Sequence, residues 1–313
     1  MKNKYLVTGA TGFVGSNIVR ALIKKGEKVT IITRDKKLNW RLRDIIKEFD
    51  VHQLDLVIDD LVPSLKKIRP DYIFHLAAYG VLPNEKNTKK MIDVNLKGAV
   101  NLINAASKNP FKLFVNTGTS VEYGVKNRKM RETDVLTPIN DYGVTKAAAT
   151  LYGQRMGIKE GLPIVNFRLF TPFGKYEDKT RLVPSVILSA LRNEPIRVSV
   201  PTTVRDFVFI EDVVNAYLRV TKLSFEPGEI VNIGSGKQHS IEQIVSLILK
   251  ITKSYSEVEW GSVKKQDRFI EPEKWEADIS RAWQILKWEP KYSIEQGLEK
   301  TIKWYSKNQK LYE

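Results

Sequence analysis

In the stretch DYGVTKAAATLYGQR, Tyr142 and Lys146 stand four residues apart. The stretch predicts a helix that starts after residues 138–141, and on a helix that spacing puts a phenol and an ammonium on one face. A free tyrosine titrates near pH ~10. A neighbouring ammonium favours the phenolate and brings proton transfer within reach of neutral pH. Upstream, FVNTGTSVEYG ends a predicted strand on Thr119, with Ser120 next to it, and hydroxyls there are placed to hold a reacting oxygen. A phenol that moves a proton and a hydroxyl that steadies an oxygen suit the interconversion of an alcohol and a ketone. That chemistry also needs a hydride carrier. Tyr-x-x-x-Lys is common by itself and gains meaning only if the chain holds such a carrier.

The N-terminus supplies a holder. TGATGFVG places Gly9, Gly12 and Gly15 after an apolar run and before a helical pattern. A strand, a glycine turn and a helix start hold a diphosphate well: amides and the helix dipole face the anion, and a missing Cβ lets the backbone approach. Gly9 would make the turn, Gly12 would lie under the pyrophosphate, and Gly15 would let the helix pack on the strand. Thr11, Phe13 and Val14 complete the expected contact set. The spacing is GxxGxxG rather than GxGxxG. The second strand ends ITRDKK, with Thr33 where an acid would bind ribose hydroxyls and Arg34 following it. An arginine there accommodates a 2′-phosphate, so the pattern predicts NADP, with NAD as the alternative. Asp55 closes the third strand in QLDL, followed by Leu56, and is placed to accept from the adenine amino group.

Elements of the right kind surround these residues. YLV (5–7), VTII (29–32), VHQL (51–54), YIFHL (72–76), KLFVNT (112–117) and PIVNFRLF (163–170) are short, bounded and apolar, as strands buried on both faces are. Helical periods lie between them, with Val14, Ile18 and Leu22 in one and Ile92, Leu96, Val100 and Ile103 in another. The alternation predicts an α/β fold: a Rossmann-type, doubly wound parallel sheet with a smaller C-terminal α/β substrate lobe. The dinucleotide-binding domain is expected over 1–170, with 205–235 packing back on it, and the substrate lobe over 171–313.

Composition sets outer bounds. The 313 residues are 42% hydrophobic and 28% charged, as in ordinary globular proteins. No apolar run approaches the ~18 residues of a membrane span. The chain runs straight from Met1 into its first strand, so no signal peptide and a cytoplasmic location are expected. Cysteine is absent, which removes disulfides, thiolate nucleophiles and cysteine metal sites; no metal is expected. The net charge of +15 is interspersed with acids and shows no basic stripe with interleaved aromatics, so it predicts a solvated surface that attracts an anionic substrate rather than nucleic acid.

With these motifs in view, the sequence resembles the extended short-chain dehydrogenase/reductases that act on nucleotide sugars, nearly end to end. TGATGFVG is similar to their cofactor loop, FHLAA (74–78) to their strand-four signature, and VNLKG, with Asn95, to a helix motif. YGVTK resembles their active site. RDFVFIEDV (205–213), VNIGSG (231–236) and WEADISRAWQILKWEPKYSIEQGL resemble later landmarks. The resemblance implies Thr119, Tyr142 and Lys146 as the catalytic set and Arg205 as a ligand of the substrate diphosphate. It implies that Leu76, Ala77 and Ala78 line the cofactor, and that Asn95 joins the cofactor site in a structural part. It also implies a homodimer built through two helices beside the sheet, one of them carrying Tyr142. Tyr79 follows the strand-four signature where the sugar should enter. Arg268, and less strongly Arg181, suit a phosphate in the second lobe; Trp275 reads as a core residue.

The departures narrow the reaction. Relatives that eliminate water or decarboxylate resemble one another in a Thr/Ser-x-Glu-Val-Tyr order, whereas this chain runs Thr119-Ser120-Val121-Glu122-Tyr123. A shift of one residue in extended backbone turns a side chain to the opposite side, so Glu122 should point away from the sugar. Relatives that epimerise beside the ketone use a cysteine–histidine pair; cysteine is missing here, and His75 and His239 read as packed and loop residues. RLFTPFG replaces the usual Asn-x-Tyr-Gly with Thr171 and Phe173. Chemistry at a single carbon remains. The expectation is NAD(P)-dependent reduction of a 4-keto-6-deoxy sugar nucleotide; the alternative is a nucleotide-sugar 4-epimerase, and the distant one a non-catalytic dinucleotide sensor or RNA-binding relative.

Overall fold

The computed structural model describes residues 2–35, 40–262 and 272–313. Its first half alternates strands and helices: β1 (Lys4–Thr8), α1 (Phe13–Lys24), β2 (Lys28–Thr33), β3 (Asp50–Gln53), α2 (Val62–Ile68), β4 (Tyr72–His75), α3 (Thr88–Met91), α4 (Gly98–Ala106), β5 (Leu113–Thr119), α5 (Asp141–Glu160) and β6 (Ile164–Leu169). Every expected strand is present. The expected helix over 91–106 is divided, because a π-helical turn, Ile92–Lys97, joins α3 to α4.

The second half is built from shorter pieces: β7 (Thr171–Phe173), α6 (Leu182–Arg192), β8 (Ile196–Arg197), β9 (Val204–Phe209), α7 (Ile210–Val220), β10 (Glu229–Ile233), β11 (Gln238–Ser240), α8 (Ile241–Thr252), β12 (Val258–Glu259), α9 (Ser280–Leu286) and α10 (Ile294–Lys307). Strand β10 enters the main sheet beside β6.

That sheet has seven strands in the order β10-β6-β5-β4-β1-β2-β3, paired in parallel throughout. Alternate residues feed opposite faces. Tyr5, Val7, Phe74, Val115, Val165 and Phe167 pack into one core, while Leu6, Ile32, Ile73, Phe114 and Ile164 pack into the other. Burial on both faces explains the continuous apolar runs. Strand order reverses between β1 and β4, and such a switch point opens a crevice at the carboxyl ends of the strands. A three-stranded sheet, β11-β9-β7, forms part of the smaller lobe. Among the described residues, no helix is long and apolar enough to cross a membrane.

Candidate active site

At the switch point lies a cleft of about 830 Å³. The turn between β1 and α1 forms one wall. Gly9 has φ +66°, and a Cβ there would collide with the Leu76 carbonyl group; at Gly15 it would collide with the Gly9 oxygen. These two glycines serve the turn and the packing, as expected. Gly12 differs, since within 4 Å its Cβ would meet the Gly9 oxygen alone, at 3.2 Å. Gly12 is also the N-cap of α1, which no side chain caps. The helix amides and dipole are therefore presented as an anion cradle, and a dinucleotide diphosphate fits it. Thr11, Phe13 and Val14 line the same wall.

Arg34, Asp55 and Leu56 line the same cleft. Asp35 lines the cleft as well, so an acid does stand beside Arg34. Asp55 Oδ1 accepts the Val57 N–H at 2.8 Å, which fixes the carboxylate at the end of β3. Leu76, Ala77 and Ala78 continue the wall after β4.

Two expected contacts go elsewhere. The Tyr79 ring lies beneath the Lys90 ammonium, 4.6 Å away, and Gly80, Val81 and Leu82 form the cleft wall there. Asn95, in the π turn, is turned inward. Its Oδ1 accepts the Tyr79 N–H at 2.8 Å, and its Nδ2 donates to the Tyr79 carbonyl at 2.9 Å and the Thr145 hydroxyl at 3.0 Å. It braces the wall from behind and does not line the cofactor space. Arg268 lies outside the described residues.

The reacting end is assembled by β5 and α5. Thr119 ends β5 and Ser120 opens the short 3-10 turn after it, and α5 is capped by Asn140, whose Oδ1 accepts the Gly143 N–H at 2.8 Å. Thr119, Ser120, Tyr142 and Lys146 all line the cleft. Thr119 and Tyr142 share this wall of the cleft, and Thr119 Oγ1 accepts the Val121 N–H at 3.3 Å. Burial pushes the Tyr142 phenol well up, and the Glu122 carboxylate adds to this; the Arg181 guanidinium and the Thr119 hydroxyl pull the other way. Lys146, 3% exposed, is brought down to about 8 by burial, against the pull of Glu122. The expectation that Lys146 makes this phenol more acidic is thus corrected for the protein alone. Desolvation dominates both groups, and it outweighs the Arg181 guanidinium, which lowers the phenol.

Glu122 does point away. It is fully buried and pairs with Arg168 Nε at 2.7 Å, and it accepts the Thr119 N–H at 2.8 Å and the Thr150 hydroxyl at 3.0 Å. Val121 takes its place at the cleft. His75 is packed, its Nδ1 2.7 Å from the Thr8 hydroxyl, and burial holds its pKa down at about 3. His239 sits in β11 rather than in a loop, paired with Arg205 of β9.

The smaller lobe supplies the opposite wall through Thr171, Arg181, Arg205 and Trp275. Arg181 reaches the Val81 carbonyl at 3.4 Å and Glu177 at 3.9 Å. Arg41 and Glu177 line the cleft without any motif having signalled them. Arg41 Nε donates to the Tyr176 carbonyl at 2.7 Å, and NH1 to that of Thr11 at 3.4 Å. Burial raises Glu177 to about 8. Only the chain's folding brings these residues to the glycine turn.

An uncapped helix start at a switch point, facing a hydroxyl–phenol–ammonium set, defines a dinucleotide-dependent α/β enzyme. Residues 5–234 match the NAD dependent epimerase/dehydratase family, and the chain belongs to it. It is 32% identical to UDP-glucuronate 4-epimerase of Thermodesulfobacterium geofontis, over 97% of this chain and 96% of the relative. It is likewise 32% identical to the uncharacterized UDP-glucose epimerase YtcB of Bacillus subtilis, over 97% and 98%. Among solved structures, UDP-glucose 4-epimerase of Thermotoga maritima with UDP-glucose superposes with a TM-score of 0.88 at 26% identity, covering 98% of this chain and 99% of that one. UDP-glucuronic acid 4-epimerase of Bacillus cereus with UDP-glucuronic acid and NAD gives 0.85 at 26%, over 97% and 99%.

Proposed function

We propose that this enzyme is an NAD-dependent 4-epimerase of a nucleotide-diphosphate sugar. The observation that carries the reading is the pairing of Thr119 and Tyr142 at the cleft with Val121, not an acid, on the adjoining turn. Proton transfer at one carbon is provided for; the acid that elimination would need at that position is not. The relatives support the epimerase alternative over the keto-reductase expectation, and NAD over NADP, since the Bacillus cereus epimerase was solved with NAD. Asp35 beside Arg34 supports NAD as well, because a carboxylate suits free ribose hydroxyls.

When bound, the nicotinamide supplies reversible hydride acceptance at the sugar carbon. Tyr142 takes the proton from the hydroxyl on that carbon and returns it, while Thr119 and Ser120 hold the oxygen. Lys146 holds the nicotinamide ribose. Arg205 anchors the substrate diphosphate. A sugar fastened at that end, in a cleft of about 830 Å³, can present either face, and its return with the opposite face presented inverts the carbon. Residues 1–170 with 205–235 form the cofactor half in this reading, and 171–313 the substrate half. A homodimer fits the exposed apolar row Val144, Leu151 and Ile158 on α5, spaced by seven, with Ile92 also exposed.

The test is incubation with UDP-glucose or UDP-glucuronic acid, with no cofactor added. Formation of the 4-epimer is expected, and Tyr142→Phe should slow it at least about 100-fold while leaving NAD binding intact. Stoichiometric oxidation of NADPH by a 4-keto-6-deoxy sugar nucleotide, without epimerisation, would restore the reductase reading.

A further inference from the structure

The indole of Trp275 touches both ends of the substrate site. Arg205 lies over its ring, with the guanidinium carbon 5.2 Å from the centroid. On its edge, Nε1–H donates to Ser120 Oγ at 3.1 Å, one residue past Thr119. The ring has little freedom to turn. Trp275 is 6% exposed, its backbone N–H donates to the Gln238 side-chain oxygen at 3.0 Å, and the Ala277 N–H donates to Asp206 at 3.0 Å.

An indole N–H can only donate, whereas a serine hydroxyl accepts and also gives one proton. The Trp275 bond therefore fixes Ser120 Oγ as acceptor and leaves its proton to be aimed elsewhere. No described residue accepts that proton, and Ser120 lines the cleft. Thr119, the neighbouring hydroxyl, accepts the Val121 N–H. Ser120 is a further donor available beside the reacting oxygen.

We propose that Trp275 is a positioning residue that aims the Ser120 hydroxyl at an oxygen of the bound sugar and, by carrying Arg205 on its face, ties that aim to the seating of the substrate diphosphate. The proposal rests on the nucleotide-sugar reading above. No bond is made or broken at Trp275; its part is to fix direction.

The test compares W275F, which keeps the ring face and removes the N–H, with S120A and with the double variant. UDP-glucose and UDP-glucuronic acid turnover, UDP and NAD affinity, and thermal stability are measured for each. W275F and S120A should each lower kcat about tenfold, with UDP affinity within about twofold of wild type, and the double variant should be no worse than either. W275L, which also removes the platform, should weaken UDP binding. An unchanged kcat in W275F, or losses that multiply in the double variant, overturns the proposal. So does a W275F loss that merely tracks falling stability and equal losses of UDP and NAD binding. A wild-type protein that binds UDP but turns over neither sugar overturns the epimerase reading, and this proposal with it.

Discussion

A buried lysine works against the fold that holds it. Lys146 keeps its proton in the folded protein only up to about pH 8, whereas an unfolded lysine keeps it to about 10.4. The folded state therefore binds fewer protons across that window, so stability rises with pH there, and the full penalty applies below pH 8. Lys146→Met should stabilise the protein at pH 7 by about 2–3 kcal/mol while removing turnover. Urea unfolding at pH 7 and pH 10 would check this, since the gain should shrink at the higher pH. If the ammonium form is the working one, kcat/KM in the unmodified enzyme should fall above about pH 8. Lys146→Arg should push that limb to higher pH. At this scale residue types and spacing were enough to single out Thr119, Tyr142 and Lys146, which the fold brings to one cleft. The sequence did not disclose that burial would outweigh the ammonium's effect on the phenol, because desolvation depends on every neighbour packed around the pair. Tyr79 misled for a related reason: it adjoins a true wall residue in sequence, but Asn95 clamps its backbone and its ring turns to Lys90.

Elements hold these groups by a few close approaches. Gly15 is one, and Gly15→Ala should abolish NAD binding, as followed by fluorescence titration, because the methyl group would meet the Gly9 carbonyl. The Glu122–Arg168 pair is another. Both side chains are almost wholly buried, and the carboxylate also ties down the amide of Thr119, the last residue of β5. Removing one partner of such a pair leaves a charge stranded, so Glu122→Ala should cost about 3–5 kcal/mol in urea unfolding. Asp206 does comparable work in the smaller lobe: its two oxygens accept from Ser235, Gly236 and Ala277, fastening the turn after β10 and the Trp275 segment to β9. The strands and α5 were legible from apolar runs and periodicity. The π turn at Ile92–Lys97 was not, since its sequence also satisfies an ordinary helical repeat. Arg41 and Glu177 carried no spacing signal, for they reach the cleft from segments far apart in the chain.

For the molecule as a whole, the row on α5 leads to a prediction. On the proposed homodimer, Leu151→Glu should shift sedimentation from dimer to monomer while leaving the cleft, on another face of α5, able to bind NAD. The doubly wound parallel sheet followed from strand–helix alternation, because parallel crossovers admit few topologies. The reaction was less legible, because whether the product leaves or is turned over again depends on ligands held by loops. Val121 leaves an evolutionary opening. The interior already has its own acid in Glu122, so a carboxylate gained at the neighbouring position would arrive as an addition, with Arg168 still matched. Descendants of such a scaffold could try out dehydration without first dismantling the framework they inherit.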